Sequence, residues 1–144
     1  MSKKIAVGGD HAGFHLKEQI VKMLEAEGHE VKDFGPYSTD SADYPDFVHP
    51  LCEAIESGDY EFGVLICGSG QGVTITANKH QKIRAALCWD TDLAEATRQH
   101  NNSNVICLAA RWTAPALAES MVKTFVATAF EGGRHQRRVD KISC

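Results

Sequence analysis

Short apolar, β-branched runs alternate with amphipathic stretches from one end of this chain to the other, and that alternation leaves few folds open to it. Ile5 to Gly9 reads as a strand. Leu16, Ile20 and Leu24, with Val21 and Met23 beside them, then mark one face of a helix that stops at Gly28. A second, shorter strand is expected from Glu30 to Phe34, with a polar loop after it through Asp43. Phe47, Leu51 and Ile55 have helical spacing, and Pro50 must kink that helix or delay its start. Gly63 to Cys67 is an almost wholly apolar strand, Val73 to Lys79 a short helix, and Ile83 to Cys88 the fourth strand. Asp90, Thr91 and Asp92 offer N-caps for a helix toward His100. Asn104 to Ala109 is the fifth strand, and Leu117, Met121 and Phe125 stripe a long helix that ends before Gly132. A basic helix starts at about Arg134. Strands alternating with helices imply βαβ units, hence a Rossmann-like, three-layer α/β/α fold with a parallel sheet covered on both faces. No repeat or linker interrupts the pattern, so residues 1–144 read as one α/β domain.

Composition narrows the function classes. With 144 residues, 43% of them hydrophobic, the chain can bury roughly 70% of its unfolded surface without disulfides or metal. A formal charge of −4 argues against a nucleic-acid binder, which needs a basic surface for phosphate contacts. No apolar run has the length of a membrane span, and the stretch after Met1-Ser2-Lys3-Lys4 is too short for a signal peptide. The five cysteines are odd in number and widely spaced, with no C-x-x-C pair, which fits neither a disulfide framework nor a zinc ribbon. A cytoplasmic protein with reduced thiols is expected.

In parallel α/β sheets ligands bind beyond the carboxyl ends of the strands, so the residues just after each strand carry the chemistry. Cys67-Gly68-Ser69-Gly70-Gln71-Gly72-Val73 is the most informative segment: a strand ends in a thiol and glycines open a helix. Glycines let the backbone approach a ligand, and the helix start aims free N–H groups at negative charge. The same field favours a thiolate, which makes Cys67 a candidate base or nucleophile rather than a buried structural cysteine. The spacing is not that of a P-loop or a Rossmann dinucleotide motif, and Val73 stands where a cysteine phosphatase needs arginine. After the first strand, Asp10 and His11 read equally well as a ligand-binding pair and as a helix N-cap beside a solvated imidazole. His11 and His15 have metal-like spacing without an H-E-x-x-H pattern, and no metal is expected there. Taken alone, His100 is a cation at a helix C-terminus, and Arg134, Arg137 and Arg138 are a solvated basic face. Arg134 and Arg138 nevertheless stand at i, i+4, where two guanidiniums can fork a phosphate.

Six segments in unbroken order from Lys4 to Val139 resemble the ribose-5-phosphate isomerase B family, which includes galactose-6-phosphate and allose-6-phosphate isomerases. They are Gly9 to Gly13, Asp43-Tyr44-Pro45, Ile66 to Gly72, Ala77-Asn78-Lys79, Arg98 to Asn101, and Glu131 to Val139. The resemblance implies a five-stranded sheet of order 2-1-3-5-4, a homodimer that can pair into tetramers, and a sugar-phosphate substrate with no cofactor. It implies aldose–ketose isomerisation of ribose 5-phosphate and ribulose 5-phosphate, with Cys67 moving a proton between C1 and C2 and His100 opening the furanose ring. Ser69 matches a contact to the reacting oxygens, and Gly68, Gly70, Gln71 and Gly72 belong to the anion-binding loop. Asp10 and Asn101 match sugar contacts, Tyr44 a nearby loop contact, and His11, Arg111, Arg134 and Arg138 the phosphate site. Arg137 stands where relatives carry glutamine and is unassigned. Relatives without the cysteine use a glutamate near position 75; Cys67 with Thr74-Ile75 places this chain in the cysteine branch. The alternatives are isomerisation of a hexose 6-phosphate, allose or galactose, and a non-catalytic phospholigand-binding module.

Overall fold

Strand β3 (Phe62–Cys67) is buried along its whole length because helices cover the sheet on both sides of it. The computed structural model describes residues 1–144. Around β3 lie β1 (Lys4–Gly9), β2 (Glu30–Asp33), β4 (Ala85–Leu87) and β5 (Val105–Ala109), all parallel, in the order β2-β1-β3-β5-β4. The helices are α1 (Phe14–Ala26), α2 (Pro45–Glu56), α3 (Gln71–Ala77), α4 (Thr91–Asn101), α5 (Pro115–Ala127) and α6 (Arg134–Asp140). A 3₁₀ turn, His11–Gly13, joins β1 to α1. The order of the sheet and its three layers are those the sequence reading expected.

Period-2 alternation sorts the strand side chains into two cores. Ile5, Val7, Phe62, Val64, Ile66, Ile106 and Leu108 face α1, α4 and α5. Ala6, Leu65, Cys67, Val105 and Cys107 face α2 and α3. Each fully buried large aliphatic side chain contributes about 1.5–3 kcal/mol. Exposed pairs such as Lys4–Glu30 contribute about 0–1 kcal/mol, so the two cores carry the fold. Cys52, Cys88 and Cys107 lie in the interior. A fully buried Lys17 on α1 donates to Asp33 of β2 at 2.6 Å, so that its charge is paired where water cannot reach it.

Two elements depart from expectation. Of the two alternatives for Pro50, the delayed start is not what the chain adopts: helix α2 begins at Pro45 and runs through Pro50. Pro45 occupies the first turn, where a missing N–H costs nothing. Pro50 is exposed, so the carbonyl it leaves unpaired faces water. Strand β4 is confined to Ala85–Leu87, because asparagine side chains replace strand pairing around it. Asn78 donates to the Ala85 carbonyl at 2.9 Å and accepts from its amide at 2.8 Å. Asn104 accepts from the Arg84 amide and donates to the Lys82 carbonyl, both at 2.8 Å. An edge so occupied offers fewer free backbone groups to another chain.

A short relay ties α2 to the segment before β4. His49 and His80 share a hydrogen bond of 2.7 Å, His80 Nδ1 lies 2.8 Å from Glu56 Oε1, and the Lys82 amide donates to Glu56 Oε2. Burial raises the Glu56 carboxyl, but the hydrogen bonds from His80 and Lys82 and the charges of both residues outweigh it. They hold the group below its ordinary value of 4.5. A carboxyl lowered on folding contributes stability that is fully present above pH 4.5 and is lost as pH falls through the lower folded value. Glu56→Gln is therefore expected to lower the urea midpoint at about pH 7 and to lose that effect toward about pH 3. Equal destabilisation at both pH values would show that the charge of Glu56 contributes nothing.

Candidate active site

The carboxyl edge of the sheet is built around the carbonyl of Ile66, which accepts from the Asp10 amide at 3.2 Å. A Cβ on Gly9 would lie 2.0 Å from that oxygen and one on Gly13 2.4 Å, so only glycine allows β1 and its 3₁₀ turn to close onto β3. This contact sets Asp10 and His11 beside the loop that follows Cys67. Asp10 Oδ1 accepts from the Ala12 and Gly13 amides at 2.9 and 3.2 Å, so the capping role is real, while Oδ2 accepts nothing from the chain. His11 Nδ1 accepts from the Ala42 amide at 3.1 Å, which leaves Nε2 to carry the proton and donate outward. Asp10, His11, Ser41, Asp43 and Tyr44 line a cleft of about 570 Å³.

Beyond the cleft the Cys67 loop is gripped from two sides. Tyr44 rests on Gly72 so closely that a Cβ there would lie 2.5 Å from its ring. The Arg111 side chain passes over Gly68, and the Arg111 amide donates to the Gly68 carbonyl at 3.0 Å. Gly70, at φ 73°, starts α3 in the left-handed region, with no room for a Cβ beside Leu87. Ser69 Oγ accepts from the Gln71 amide at 3.3 Å. The amides of Gly68, Ser69, Gly70 and Gly72 find no acceptor within the chain and can serve an oxyanion. Cys67 ends β3 on the α2–α3 face, 4% exposed. Three interior thiols are unsuited to ionise. Burial, with Glu56 and Glu53 nearby, pushes Cys52 up to about 12, burial and Asp90 push Cys88 to about 11, and burial raises Cys107 further.

A second group of predicted residues gathers at the amino edge. Helix α4, N-capped by Asp90, runs back from the carboxyl edge and ends with His100 and Asn101. Buried Arg98 fixes that last turn: it donates to the Ser103 carbonyl at 2.6 Å, to Asn102 Oδ1 at 2.9 Å and to the Thr128 carbonyl at 3.0 Å. Asn102 caps the helix at φ 48°, a left-handed conformation asparagine tolerates. Helix α6 packs beside it, with the Glu131 amide donating to the Gln99 carbonyl at 3.1 Å. His135 and Val139 form the inward face of α6, which leaves Arg134 and Arg138 together on its exposed side and Arg137 exposed as well. His135 stacks on His100 with ring centroids 4.6 Å apart. Burial, then the charges of His100 and Arg134, push His135 below the usual histidine range.

Asp10, His11, Tyr44, Cys67, the loop through Gly72 and Arg111 thus share one edge, whereas His100, Asn101, Arg134 and Arg138 share the other. Gly63 pairs with Val105 and Cys67 with Ala109, so about 13 Å of strand separates the two levels. Sequence reasoning missed His135 and the anchoring by Arg98. Val139, the one aliphatic residue of α6, marks its inner face, and His135 precedes it by one helical turn. His11 and His15 do not form a ligand pair: a 3₁₀ turn holds the first, and the second, on α1, points to solvent near Glu18. The residues that could hold a metal are His100, Glu131 and His135. A hollow of about 810 Å³ at the amino edge, lined by Lys3, His29, Arg98 and Lys123 among others, contains none of the predicted site residues.

The relatives of a chain with this sheet and this strand-end thiol set its class: an isomerase of phosphorylated sugars. Within that class the chain belongs to the Ribose/Galactose Isomerase family, whose model matches residues 5–142. It is 43% identical over 141 residues to ribose-5-phosphate isomerase B of Escherichia coli, covering 98% of this chain and 95% of that one. Ribose 5-phosphate isomerase of Thermotoga maritima superposes with a TM-score of 0.96 at 46% identity, over 98% and 97% of the two chains. Ribose-5-phosphate isomerase B of Mycoplasma genitalium, with bound ribulose-5-phosphate, superposes with a TM-score of 0.92 at 40% identity, over 96% and 93%. No helix of the chain is long and apolar enough to cross a membrane.

Iodoacetamide is expected to alkylate the native protein at exposed Cys144 and at Cys67, at the end of β3, while sparing Cys52, Cys88 and Cys107, whose thiols burial keeps protonated. Peptide mass spectrometry reads the pattern. Labelling of Cys52 or Cys107 before denaturation would contradict it.

Proposed function

We propose that the enzyme interconverts ribose 5-phosphate and ribulose 5-phosphate through an enediolate, with Cys67 as the base. The observation that carries this reading is the thiol at the end of β3 followed by loop amides that have no acceptor of their own. His100 opens the furanose ring. Cys67 then takes the proton from C2 of the open aldose, the C–H pair becomes the C1–C2 double bond, and the C1 carbonyl oxygen takes up the negative charge. A proton passes from O2 to O1, and Cys67 returns its proton to C1, which completes the ketose. The charge on the oxygens grows only toward the intermediate, so fixed N–H donors from Gly68 to Gly72, aided by Ser69, accelerate the step without a metal. Asp10, Tyr44 and Asn101 contact the sugar, and His11 Nε2, Arg111, Arg134 and Arg138 hold the phosphate. The five free thiols suit a reducing compartment such as the cytoplasm.

The separation of Cys67 from His100 leads to a shared site: a twofold dimer in which each chain's carboxyl edge meets its partner's α4–α6 corner. Trp89 and Trp112, 66% and 73% exposed, follow the adjacent strands β4 and β5 at the carboxyl edge and support a covered surface there. Cys67→Ala and His100→Ala proteins, each nearly inactive, are expected to recover roughly a quarter of wild-type turnover once their subunits exchange at random. If tagged subunits exchange by mass spectrometry yet no activity returns, both residues act within one chain. Wild-type turnover of ribose 5-phosphate should survive dialysis against a chelator.

Arg134→Ala and Arg138→Ala should each raise KM for ribose 5-phosphate by roughly 30-fold, the loss of one charge-assisted contact. Arg137→Ala should change it far less. Equal, small effects at all three positions would make the run a solvated basic face.

A further inference from the structure

We propose that His100, Glu131 and His135 form a binding site for a divalent transition-metal ion, and that its occupancy arrests the enzyme by withdrawing His100 from the substrate. Each of these side chains offers one donor atom, and the three atoms lie within 4.8 Å of one another. The exposed His100 ring is stacked on His135 and has to turn out of that stack for both lone pairs to meet one ion. His135 Nε2 and Glu131 Oε1 are 3.6 Å apart. A tetrahedral ion with bonds of about 2.0–2.1 Å spaces its donors about 3.3 Å apart, so the widest gap in the cluster needs to close by up to about 1.5 Å. Backbone bonds hold the three residues side by side. The Glu131 amide is bonded to the Gln99 carbonyl, one residue before His100, and the His135 amide to the Gly132 carbonyl at the start of α6. His135 is 9% exposed and cannot swing away, while His100 and Glu131 are exposed and free to close on an ion.

Donor chemistry selects the ion. Two imidazoles and a single carboxylate suit zinc, nickel or copper and are poor for magnesium or calcium, which want oxygen cages. Three protein donors leave a fourth position for water, the geometry of an open site. Arg134 and Arg138, on the outer side of α6, oppose a cation, and Glu131 offsets part of that charge. A metal on His100 occupies the nitrogen lone pair that proton transfer needs. The inhibitory consequence therefore rests on the role proposed for His100, whereas the binding itself does not.

Untagged protein titrated with nickel chloride in a calorimeter, in buffer free of chelators and thiols, separates the two. One ion per chain is expected, with affinity unchanged in Cys67→Ser and lowered at least tenfold in Glu131→Gln and in His135→Gln, both folded by circular dichroism. Unchanged affinity in these two variants, or its loss in Cys67→Ser, overturns the site. In turnover assays nickel is expected to inhibit wild type in step with occupancy. Glu131→Gln, with metal-free turnover like wild type, should need at least ten times more. Full occupancy without inhibition overturns the regulatory half and counts against the role of His100, while leaving the metal site standing.

Discussion

The Asp10 amide donates to the Ile66 carbonyl, and the glycines on either side of that bond leave no space for a side chain. Few contacts in the molecule have so many consequences. Strand β1 would otherwise end beside β3 at ordinary sheet spacing, with a gap where the two chains part. Closure of that gap brings the 3₁₀ turn against the last residues of β3, so that His11 and the Cys67 loop stand on the same edge of the sheet. The loop's own shape follows from what grips it: Tyr44 against Gly72, Arg111 across Gly68, and Leu87 beside Gly70. Amides held this way are preorganised donors and require no reorganisation when charge develops on a ligand.

The amino edge is organised by a different kind of contact. Arg98 is a buried guanidinium whose donors are spent on the Ser103 and Thr128 carbonyls and the Asn102 side chain, with Phe62 and Phe125 rings against its plane. Such a group is costly to bury without partners, and the three bonds made by its Nε and Nη1 tie together three segments: the end of α4, the start of β5 and the linker after α5. His100 and α6 inherit their positions from that lock. The two edges are thus built independently, one by close backbone packing and the other by a buried cation. A parallel sheet between them keeps them apart.

That separation is a property of βαβ topology. Each strand runs toward the carboxyl edge and each helix returns toward the amino edge, so a residue at a strand end and one at a helix end cannot share a site within one chain unless a loop carries one of them across. The shared dimeric site proposed for this enzyme is a response to that geometry.

Strand and helix order was legible in the sequence because hydrophobic period reports local structure: Ile5, Val7, Val64 and Ile66 alternate with small or opposite-facing residues, and Leu16, Ile20 and Leu24 recur at helical spacing. The thiol-and-glycine loop after Cys67 was legible for the same reason, since its residue types are rare together and its place at a strand end follows from the pattern. Other features depended on contacts between residues far apart in the chain. Asn104 takes up the Arg84 amide and the Lys82 carbonyl just before β4, and nothing local to Ile83–Cys88 announces that. Asp10 read equally as ligand and as cap; the folded chain uses one carboxylate oxygen for the cap and leaves the other free. His135 looked like one more polar residue in a basic run until Val139 set the inner face of α6 and placed it on His100. Composition and periodicity determined the layers of this protein, because burial of apolar faces is settled by neighbours along the chain. Which polar groups meet was decided only by the tertiary structure, because hydrogen bonds and stacked rings depend on distances that sequence spacing does not fix.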